Sequence, residues 1–267
     1  MTSKGLPILP AVDGGVISIR ALPITVRGWS AWAPGFESSA DWFRWAGAEA
    51  DAAPSGAGTA TPIPMMLRRR TTALGQKMIA APLACGTVAT ARYVLASRHG
   101  EMTRTVGILQ ALASGELPSP AEFSMAVHHG LVGLLSIHAG NRLGHTAIAA
   151  GPDSFGFGLM EAAASLAENP QEPVILLYGD EPLPGEYAAF REAGESHLPF
   201  VLALALEAAP ADPDGEGDHI LFQALPQVAG VSPTASAAHD FLRFLLSGSA
   251  SANSDGERMS WVWHRGV

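Results

Sequence analysis

Two side chains in this sequence could act as nucleophiles. Ser154 ends the run Gly151-Pro152-Asp153-Ser154, which joins an apolar stretch to an Ala-rich one, and Cys85 is the single cysteine. A hydrolase elbow needs glycine two residues before the serine, and position 152 is proline, so that signature fails by one residue. We interpret Ser154 as a helix-capping serine and Cys85 as a small core residue. A stand-alone acyltransferase or thioesterase that uses Ser154 or Cys85 remains the alternative function.

Four histidines are candidates for metal ligation. His128 and His129 are neighbours and would point to different sides of a helix, while His138 and His145 lack a recognised ligand spacing. The glycines that follow Ser154 lack the third glycine and the Lys-Ser or Lys-Thr pair of a phosphate loop. We therefore expect no metal and no cofactor.

The composition favours a large core and a scarce polar surface. Hydrophobic residues make up 48% of the 267 residues, and charged residues make up only 15%. Because so few charges cannot cover every side of the molecule, we expect an apolar interface with another subunit. The net charge of −9 argues against nucleic acid as a partner, since phosphate binding needs a dense cationic face.

No segment of the sequence predicts export or membrane insertion. Pro7, Pro10 and Asp13 interrupt any apolar core of a signal peptide. The most apolar run, Phe200 to Leu206, is far shorter than the roughly 20 residues that span a bilayer. The single Cys85 cannot form an intrachain disulfide, which fits a reducing compartment. We expect a cytoplasmic protein without a membrane span.

Predicted strands and helices alternate along the chain. Strands are expected at residues 16–26, 103–110, 145–150, 173–178, 197–207, 219–225 and 259–264. Helices are expected from residue 71 or 72 to about 97, kinked or split at Pro82, and at residues 118–139 with an interruption at Gly130, 154–167 and 232–246. Loops are expected at residues 51–64 and 211–218, and the tryptophans between residues 29 and 45 should pack one edge of the domain. The alternation favours an α/β fold with a layered sheet covered by helices.

Three segments and the closing residues share the order and spacing of one family. The segments are Arg68-Arg69-Arg70 with Lys77-Met78, Ser124 to His129 continuing to Ser136-Ile137, and Thr146 to Gly151 with Asp153-Ser154-Phe155 and Glu161-Ala162. Together with Glu257 to Trp263 they resemble the amino-terminal half of β-ketoacyl synthases of the thiolase-like superfamily, in particular the short chain length factors of aryl polyene and related type II polyketide pathways. The resemblance implies a thiolase-like half, a layered mixed β-sheet flanked by helices, with residues 1–267 as a single domain.

The resemblance also implies where catalysis would occur. Catalytic members carry a cysteine in the turn before the third segment's helix, because a helix amino terminus stabilises a thiolate that attacks an acyl thioester. The turn Gly151-Pro152-Asp153-Ser154 has no cysteine, and Asp153 favours helix capping over activation of a nucleophile. The family's catalytic histidines belong to its carboxyl-terminal half, beyond Val267, so we expect them to be missing. We predict a non-catalytic, chain length factor-like subunit of a β-ketoacyl-ACP synthase in aryl polyene-like polyketide or fatty acid biosynthesis.

Two partner surfaces are implied by the same resemblance. Arg68, Arg69, Arg70 and Lys77 correspond to the segment that docks the acidic acyl carrier protein, although a solvated helix start explains these cations equally well. If they start the helix, they oppose its dipole and lower its stability. Residues 123–135 correspond to the interface with a full-length β-ketoacyl synthase. There we expect an interface and tunnel wall formed by Phe123, Met125, Val127, His128, Leu131 and Leu134.

Overall fold

The computed structural model of the chain describes residues 21–36, 38–47, 62–192, 195, 198–210, 217–227 and 236–266. Its strands are β1 (Leu22–Trp32), β2 (Arg92–Ala96), β3 (His145–Ile148), β4 (Val174–Asp180), β5 (Phe200–Ala208), β6 (Asp218–Pro226), β7 (Ser251–Asp255) and β8 (Met259–Arg265). Its α-helices are α1 (Ser39–Ala46), α2 (Met65–Arg68), α3 (Ala73–Cys85), α4 (Met102–Ala113), α5 (Pro120–Ala126), α6 (His129–Ala139), α7 (Ser154–Glu168) and α8 (Ala237–Ser247). Short 3₁₀ helices span Gly151–Asp153 and Gly185–Phe190.

In the described part of the chain, the strands form one mixed sheet of eight, in the order β3-β2-β4-β5-β1-β6-β8-β7. Strands β3, β2 and β4 are parallel, and every pair from β4 to β7 along this order is antiparallel. Because the parallel strands share one direction, the segments that follow Ala96, Ile148 and Asp180 all lie at the same end of the sheet, beyond the carboxyl ends of these strands.

Helices cover the central strands on both faces. Strands β4 and β5 are near-continuous apolar runs, as expected for strands that are buried on both sides. Helices α1, α7 and α8 pack against one face of the sheet, where Trp261 and Trp263 are fully buried. Helices α3 and α6 pack against the other face.

Most predicted elements are present. Strands β3, β4, β5, β6 and β8 and helices α7 and α8 lie within a few residues of their predicted bounds. The stretch 118–139 forms two helices, α5 and α6, but the interruption predicted at Gly130 is wrong: the break falls at Val127, which has an extended backbone, and Gly130 lies within α6. The start of the strand predicted at 16–26, most of the loops predicted at 51–64 and 211–218, and the start of the helix predicted at 232–246 lie outside the described residues. Trp29 and Trp42 are buried, and Phe36 stacks on Trp42 with ring centroids 4.1 Å apart, which confirms the packing role of the aromatic cluster.

The long helix predicted for residues 72–97 is wrong in its second half. Helix α3 passes through Pro82 and ends at Cys85, where Gly86 adopts a positive φ of 75° that favours glycine. Residues 92–96 instead form β2, which pairs with β3 and β4. An Ala-rich run does not distinguish helix from buried strand, so pairing with distant strands decides the outcome.

The strand predicted at residues 103–110 is also wrong, because these residues form most of α4. Its apolar residues form a run too short for periodicity to separate strand from helix, and only Val106 is buried in that helix. Strand β7 was not predicted, since its Ser and Asn residues carry no strand signal and pairing with β8 determines it. Among the described residues, no helix has both the length and the apolar character that crossing a bilayer requires.

Candidate functional site

The turn between β3 and α7 is the candidate site, since the family resemblance places a nucleophile there. The chain leaves β3 at Ile148, takes a positive φ of 63° at Gly151 and enters α7 at Ser154. The turn lies at the end of the sheet where the carboxyl ends of β2 and β4 are also found. Ligand sites next to parallel strands usually lie at this end. The backbone therefore has the form of a reactive turn, and the side chains decide its chemistry.

Ser154 is buried, and its hydroxyl is engaged within the turn. The hydroxyl oxygen accepts a hydrogen bond from the Ala150 amide at 3.0 Å, and the hydroxyl donates to the Gly151 carbonyl at 2.7 Å. No side chain caps the first turn of α7, so the predicted capping role of Ser154 and Asp153 is wrong. Because the hydroxyl proton is bonded to a carbonyl and not to a general base, Ser154 lacks the activation that a serine nucleophile needs.

Asp153 is completely buried and faces the turn between β7 and β8. Its Oδ2 accepts a hydrogen bond from the Arg258 amide at 2.8 Å, and its Oδ1 accepts one from the Trp261 indole Nε1 at 3.2 Å. Gly256 passes so close that a Cβ on it would lie 1.7 Å from Asp153 Oδ1. The Asp153 carboxylate therefore links the amino terminus of α7 to the Arg258 amide and to Trp261 on β8.

The mostly exposed side chain of Arg258 also contacts the candidate turn. Its guanidinium Nη2 donates to the Ala150 carbonyl at 2.7 Å and stacks above the ring of Phe157, 5.4 Å from the ring centroid. Its Nε lies 3.7 Å from Asp153 Oδ2. We call Gly256 and Arg258, in the turn before β8, together with Trp261 in β8, the β8 clasp. The clasp contacts the candidate turn at the Asp153 side chain and at the Ala150 carbonyl.

Cys85 lies far from this turn, at the end of α3. Its thiol faces the Ala203 carbonyl on β5 at 3.7 Å, and burial raises the pKa of the Cys85 thiol from 9.0 to about 12. Since the thiolate is the nucleophile, a thiol with this pKa is unreactive near neutral pH.

The three arginines lie at the junction between the short helix α2 and α3. Arg68 ends α2 and Arg69 caps it, while Thr72 caps the start of α3 by accepting a hydrogen bond from the Gly75 amide at 3.0 Å. Arg68, Arg69 and Arg70 therefore precede the first turn of α3. All three arginines are exposed, and so is Lys77, whose Nζ lies 4.8 Å from the centroid of the Trp32 ring. Arg68 and Lys77 line a cleft of about 880 Å³ between the end of β1, α1 and α3.

The predicted interface residues fall into three groups. Phe123 and Val127 are exposed, at 62% and 46%, whereas Leu131 and Leu134 are buried in this chain's own core. Met125 is half-buried and packs against the same core. His128 is half-buried, and its Nε2 lies 3.2 Å from the Ser97 carbonyl. Phe123 and Val127 are therefore the most exposed of the six predicted interface residues.

His129 and His145 lie near each other. The rings of His129 and His145 lie 5.0 Å apart, and desolvation, with the nearby His129, lowers the pKa of His145. Within the described ranges, no group of three or more His, Cys, Asp or Glu side chains is placed to hold a metal ion.

Sequence reasoning missed two buried carboxylates at the same end of the sheet. Asp180, at the end of β4, accepts hydrogen bonds from the Ser97 hydroxyl and from the amides of Arg98 and His99 at 2.8 to 3.0 Å. Glu101, just before α4, is also buried, and desolvation raises the pKa of both acids. Asp180 directly follows an apolar strand, and that position was the available signal.

A model of the family described as beta-ketoacyl synthase, N-terminal domain, matches residues 42–264. The chain is similar to a chain in the structure of a ketosynthase (ApeO) in complex with its chain length factor (ApeC) from Xenorhabdus doucetiae, with 29% identity, a TM-score of 0.76 and coverage of 91% of this chain and 100% of that one.

Two further solved structures share the fold. The ishigamide ketosynthase/chain length factor has 15% identity, a TM-score of 0.57 and coverage of 78% of this chain and 68% of that one. A type II PKS acyl-carrier protein in complex with its ketosynthase, AntDE:AntF, has 13% identity, a TM-score of 0.53 and coverage of 71% and 63%. A search of curated proteins found no match.

Proposed function

The chain belongs to the family of beta-ketoacyl synthase N-terminal domains, and from this premise we propose that it is a non-catalytic, chain length factor-like subunit. Its partner in this proposal is a full-length β-ketoacyl synthase of an aryl polyene-like polyketide or fatty acid pathway. The proposed place of action is the cytoplasm.

One observation carries the non-catalytic role. The turn that would hold the nucleophile presents Asp153, whose two carboxylate oxygens accept hydrogen bonds from the β8 clasp. A condensing enzyme needs an activated thiolate at this helix start, and a buried carboxylate cannot form an acyl thioester. In this proposal the turn is retained, and Asp153 within it serves packing.

Pairing with a ketosynthase is supported by the similar structures and by the exposed surface. Two of those structures are described as a ketosynthase with a chain length factor. In this chain, β3 ends the sheet, and no strand of the described residues covers its outer side. Phe123 lies on α5, and Val127 directly follows this helix. Helix α5 contacts α6, and α6 packs on β3. An open strand edge beside exposed apolar side chains suits a large subunit interface.

Docking of an acyl carrier protein is the second part of the proposal. Arg68, Arg69 and Arg70 are exposed at the α2–α3 junction of a chain whose net charge is −9. A localised cationic site attracts an acidic partner and directs it to one face. One of the similar structures contains an acyl-carrier protein bound to its ketosynthase, which fits this role.

Coexpression tests the pairing directly. The chain is coexpressed with each ketosynthase of its own genome, and the purified material is analysed by size exclusion and native mass spectrometry. We expect a stable one-to-one complex with one of them. If every ketosynthase elutes separately from the chain, the subunit role is wrong.

The rival function, a stand-alone acyltransferase or thioesterase, has a separate test. The purified chain is incubated with acyl thioesters and its intact mass is measured. We expect no covalent adduct, because the Ser154 hydroxyl is bonded within its turn and burial raises the pKa of Cys85 to about 12. A stoichiometric adduct that is absent from Ser154→Ala or Cys85→Ala would establish the rival.

A further inference from the structure

Arg104, on α4, joins three segments of the protein through one guanidinium group. Its side chain is only 10% exposed, and the Glu101 side chain beside it is 3% exposed. Arg104 Nε donates to Glu101 Oε2 at 3.2 Å, and its Nη2 donates to the Arg70 carbonyl at 2.6 Å. The third nitrogen, Nη1, donates to Glu122 Oε2 on α5. The guanidinium therefore connects α4, the α2–α3 junction and α5.

Glu101 extends the same network to the cap of α3. Its Oε1 accepts a hydrogen bond from the Thr72 hydroxyl at 3.1 Å, while the Thr72 oxygen accepts the Gly75 amide. The space for this contact depends on glycine at position 75, since a Cβ there would lie 3.0 Å from Glu101 Oε1. Both sides of the α2–α3 junction are thereby held, at the Arg70 carbonyl and at the Thr72 hydroxyl.

The geometry suits arginine in particular. A guanidinium has five donors in a fixed planar fork, so it can bind acceptors in three directions at once. A lysine has one ammonium centre on a flexible stem and cannot span the same three acceptors. The bond to the Arg70 carbonyl fixes the backbone that carries the three exposed arginines, and leaves their side chains free to face a partner.

We infer that Arg104 is a positioning residue that fixes the docking segment Arg68–Arg70 against α4 and α5, without adding to its exposed charge. The inference rests on the proposed function only for its link to the carrier protein. The positive charge of Arg104 is matched by Glu101 and Glu122, so its contribution is geometric. A docking segment held in one conformation loses less conformational entropy on binding.

Limited proteolysis tests the positioning without any partner. Trypsin cleaves after arginine, and the bond after Arg70 contains the carbonyl that Arg104 binds. In Arg104→Gln, we expect cleavage after Arg70 to become about tenfold faster relative to cleavage after the exposed Arg142, as the local closed form loses a charge-assisted hydrogen bond. Glu122→Gln is the matched control, because it removes the exposed negative charge on α5 and leaves the bond to the Arg70 carbonyl. Arg104→Lys replaces Arg104→Gln if the latter does not fold. An unchanged cleavage ratio in the folded variant overturns the inference.

Kinetics of the reconstituted pair test the link to docking. Arg104→Lys keeps the positive charge but cannot span the three acceptors, so it should raise KM for the carrier protein about threefold to tenfold at every salt concentration, with kcat unchanged. If proteolysis shows the loosened segment while KM stays at the wild-type value, the link to docking is wrong. If the wild-type chain itself forms no pair with a ketosynthase, the proposed function fails, and proteolysis alone decides the role of Arg104.

Discussion

Asp153 keeps its carboxylate inside the protein mainly through neutral donors. The Arg258 amide and the Trp261 indole each use one of its oxygens, while the Arg258 guanidinium approaches from a mostly exposed position. An unmatched buried charge is costly, so the two hydrogen bonds have to be made. The side chain thus acts as a structural link between α7 and β8.

Replacing Asp153 by Asn tests this link. An amide has one acceptor oxygen, so either the Arg258 amide or the Trp261 indole would face the new NH₂ group. We expect the free energy of unfolding, from urea titration, to fall by about 1 to 3 kcal/mol. Glu257→Gln changes an exposed acid in the same turn and should stay within about 0.5 kcal/mol of wild type. Equal effects of the two substitutions would contradict the buried role of Asp153.

Glu101 makes stability depend on pH. Desolvation is the largest influence on this acid and outweighs Thr72 and Arg104, so its pKa in the folded protein lies above 4.5. Below pH 4.5 the acid is protonated in both states. As pH rises from there through the folded pKa, the unfolded chain ionises first, and the folded state loses stability.

Glu101→Gln should remove this pH dependence. The measurement is the unfolding free energy of wild type minus that of the variant, taken at several pH values. We expect the difference to decrease as pH rises through the window above 4.5 and then to become constant. A difference that increases over the same window would mean that the contacts with Arg104 and Thr72 outweigh desolvation.

The short helices α5 and α6 combine an exposed and a buried set of apolar residues. Phe123 is exposed, while Leu131 is buried against α3, with its Cδ2 only 3.0 Å from where a Cβ on Gly75 would lie. Phe123 should therefore stabilise the proposed complex, whereas Leu131 stabilises the fold of the chain itself.

Alanine substitutions separate these two roles. Phe123→Ala should leave the unfolding free energy within about 0.5 kcal/mol of wild type and weaken the ketosynthase complex about tenfold or more. Leu131→Ala should lower the unfolding free energy by about 2 to 5 kcal/mol. Leu221→Ala, at an exposed position on β6, is the control for Phe123. Unchanged complex affinity in Phe123→Ala would remove this residue from the interface.

The same region allows a test of product length. Met125 is half-buried, so it can contact both this chain and a partner. If it forms part of the tunnel wall, Met125→Ala should lengthen the products of the reconstituted pair, because a tightly packed wall excludes extra methylenes. If it only packs the interface, total product should fall with no change in chain length.

The sequence allowed prediction of the elements with strong apolar signals and failed where distant pairing decides. The apolar runs of β4 and β5 and the turn into α7 were evident, and the thiolase-like mixed sheet is confirmed. Strand β2 was missed because its Ala-rich flanks resemble a helix. At the site, the lack of cysteine was evident, but the β8 clasp was not, since Arg258 and Asp153 lie 105 residues apart.

At the scale of the whole molecule, charge is unevenly placed. The chain carries −9, yet three exposed arginines follow one another at the α2–α3 junction. Exposed charges interact over a distance set by screening, which is about 10 Å at 0.1 M salt. Their contribution to carrier docking should therefore be an attraction that weakens with salt.

Changing Arg68, Arg69 and Arg70 to Glu should slow association with the acidic carrier at low salt, and the defect should shrink as salt rises. The control changes three other exposed arginines, Arg44, Arg142 and Arg243, to Glu. Each triple variant lowers the net charge by 6, from −9 to −15, so the two variants differ only in where the charge is changed. Stopped-flow rates over a salt series measure the effect. Equal slowing in both variants would make the attraction a property of net charge and not of the docking segment.

The β8 clasp also bears on whether this turn could accept a cysteine at position 153. A cysteine at position 153 would remove both acceptor oxygens and leave the Arg258 amide and the Trp261 indole unbonded in the interior. Gly256 is fitted to the carboxylate, so the smaller thiol would also leave a void there. Asp153→Cys alone should therefore give a less stable protein. A stable turn with a cysteine at position 153 would require a second change in the β7–β8 connection, where Gly256 and Arg258 lie.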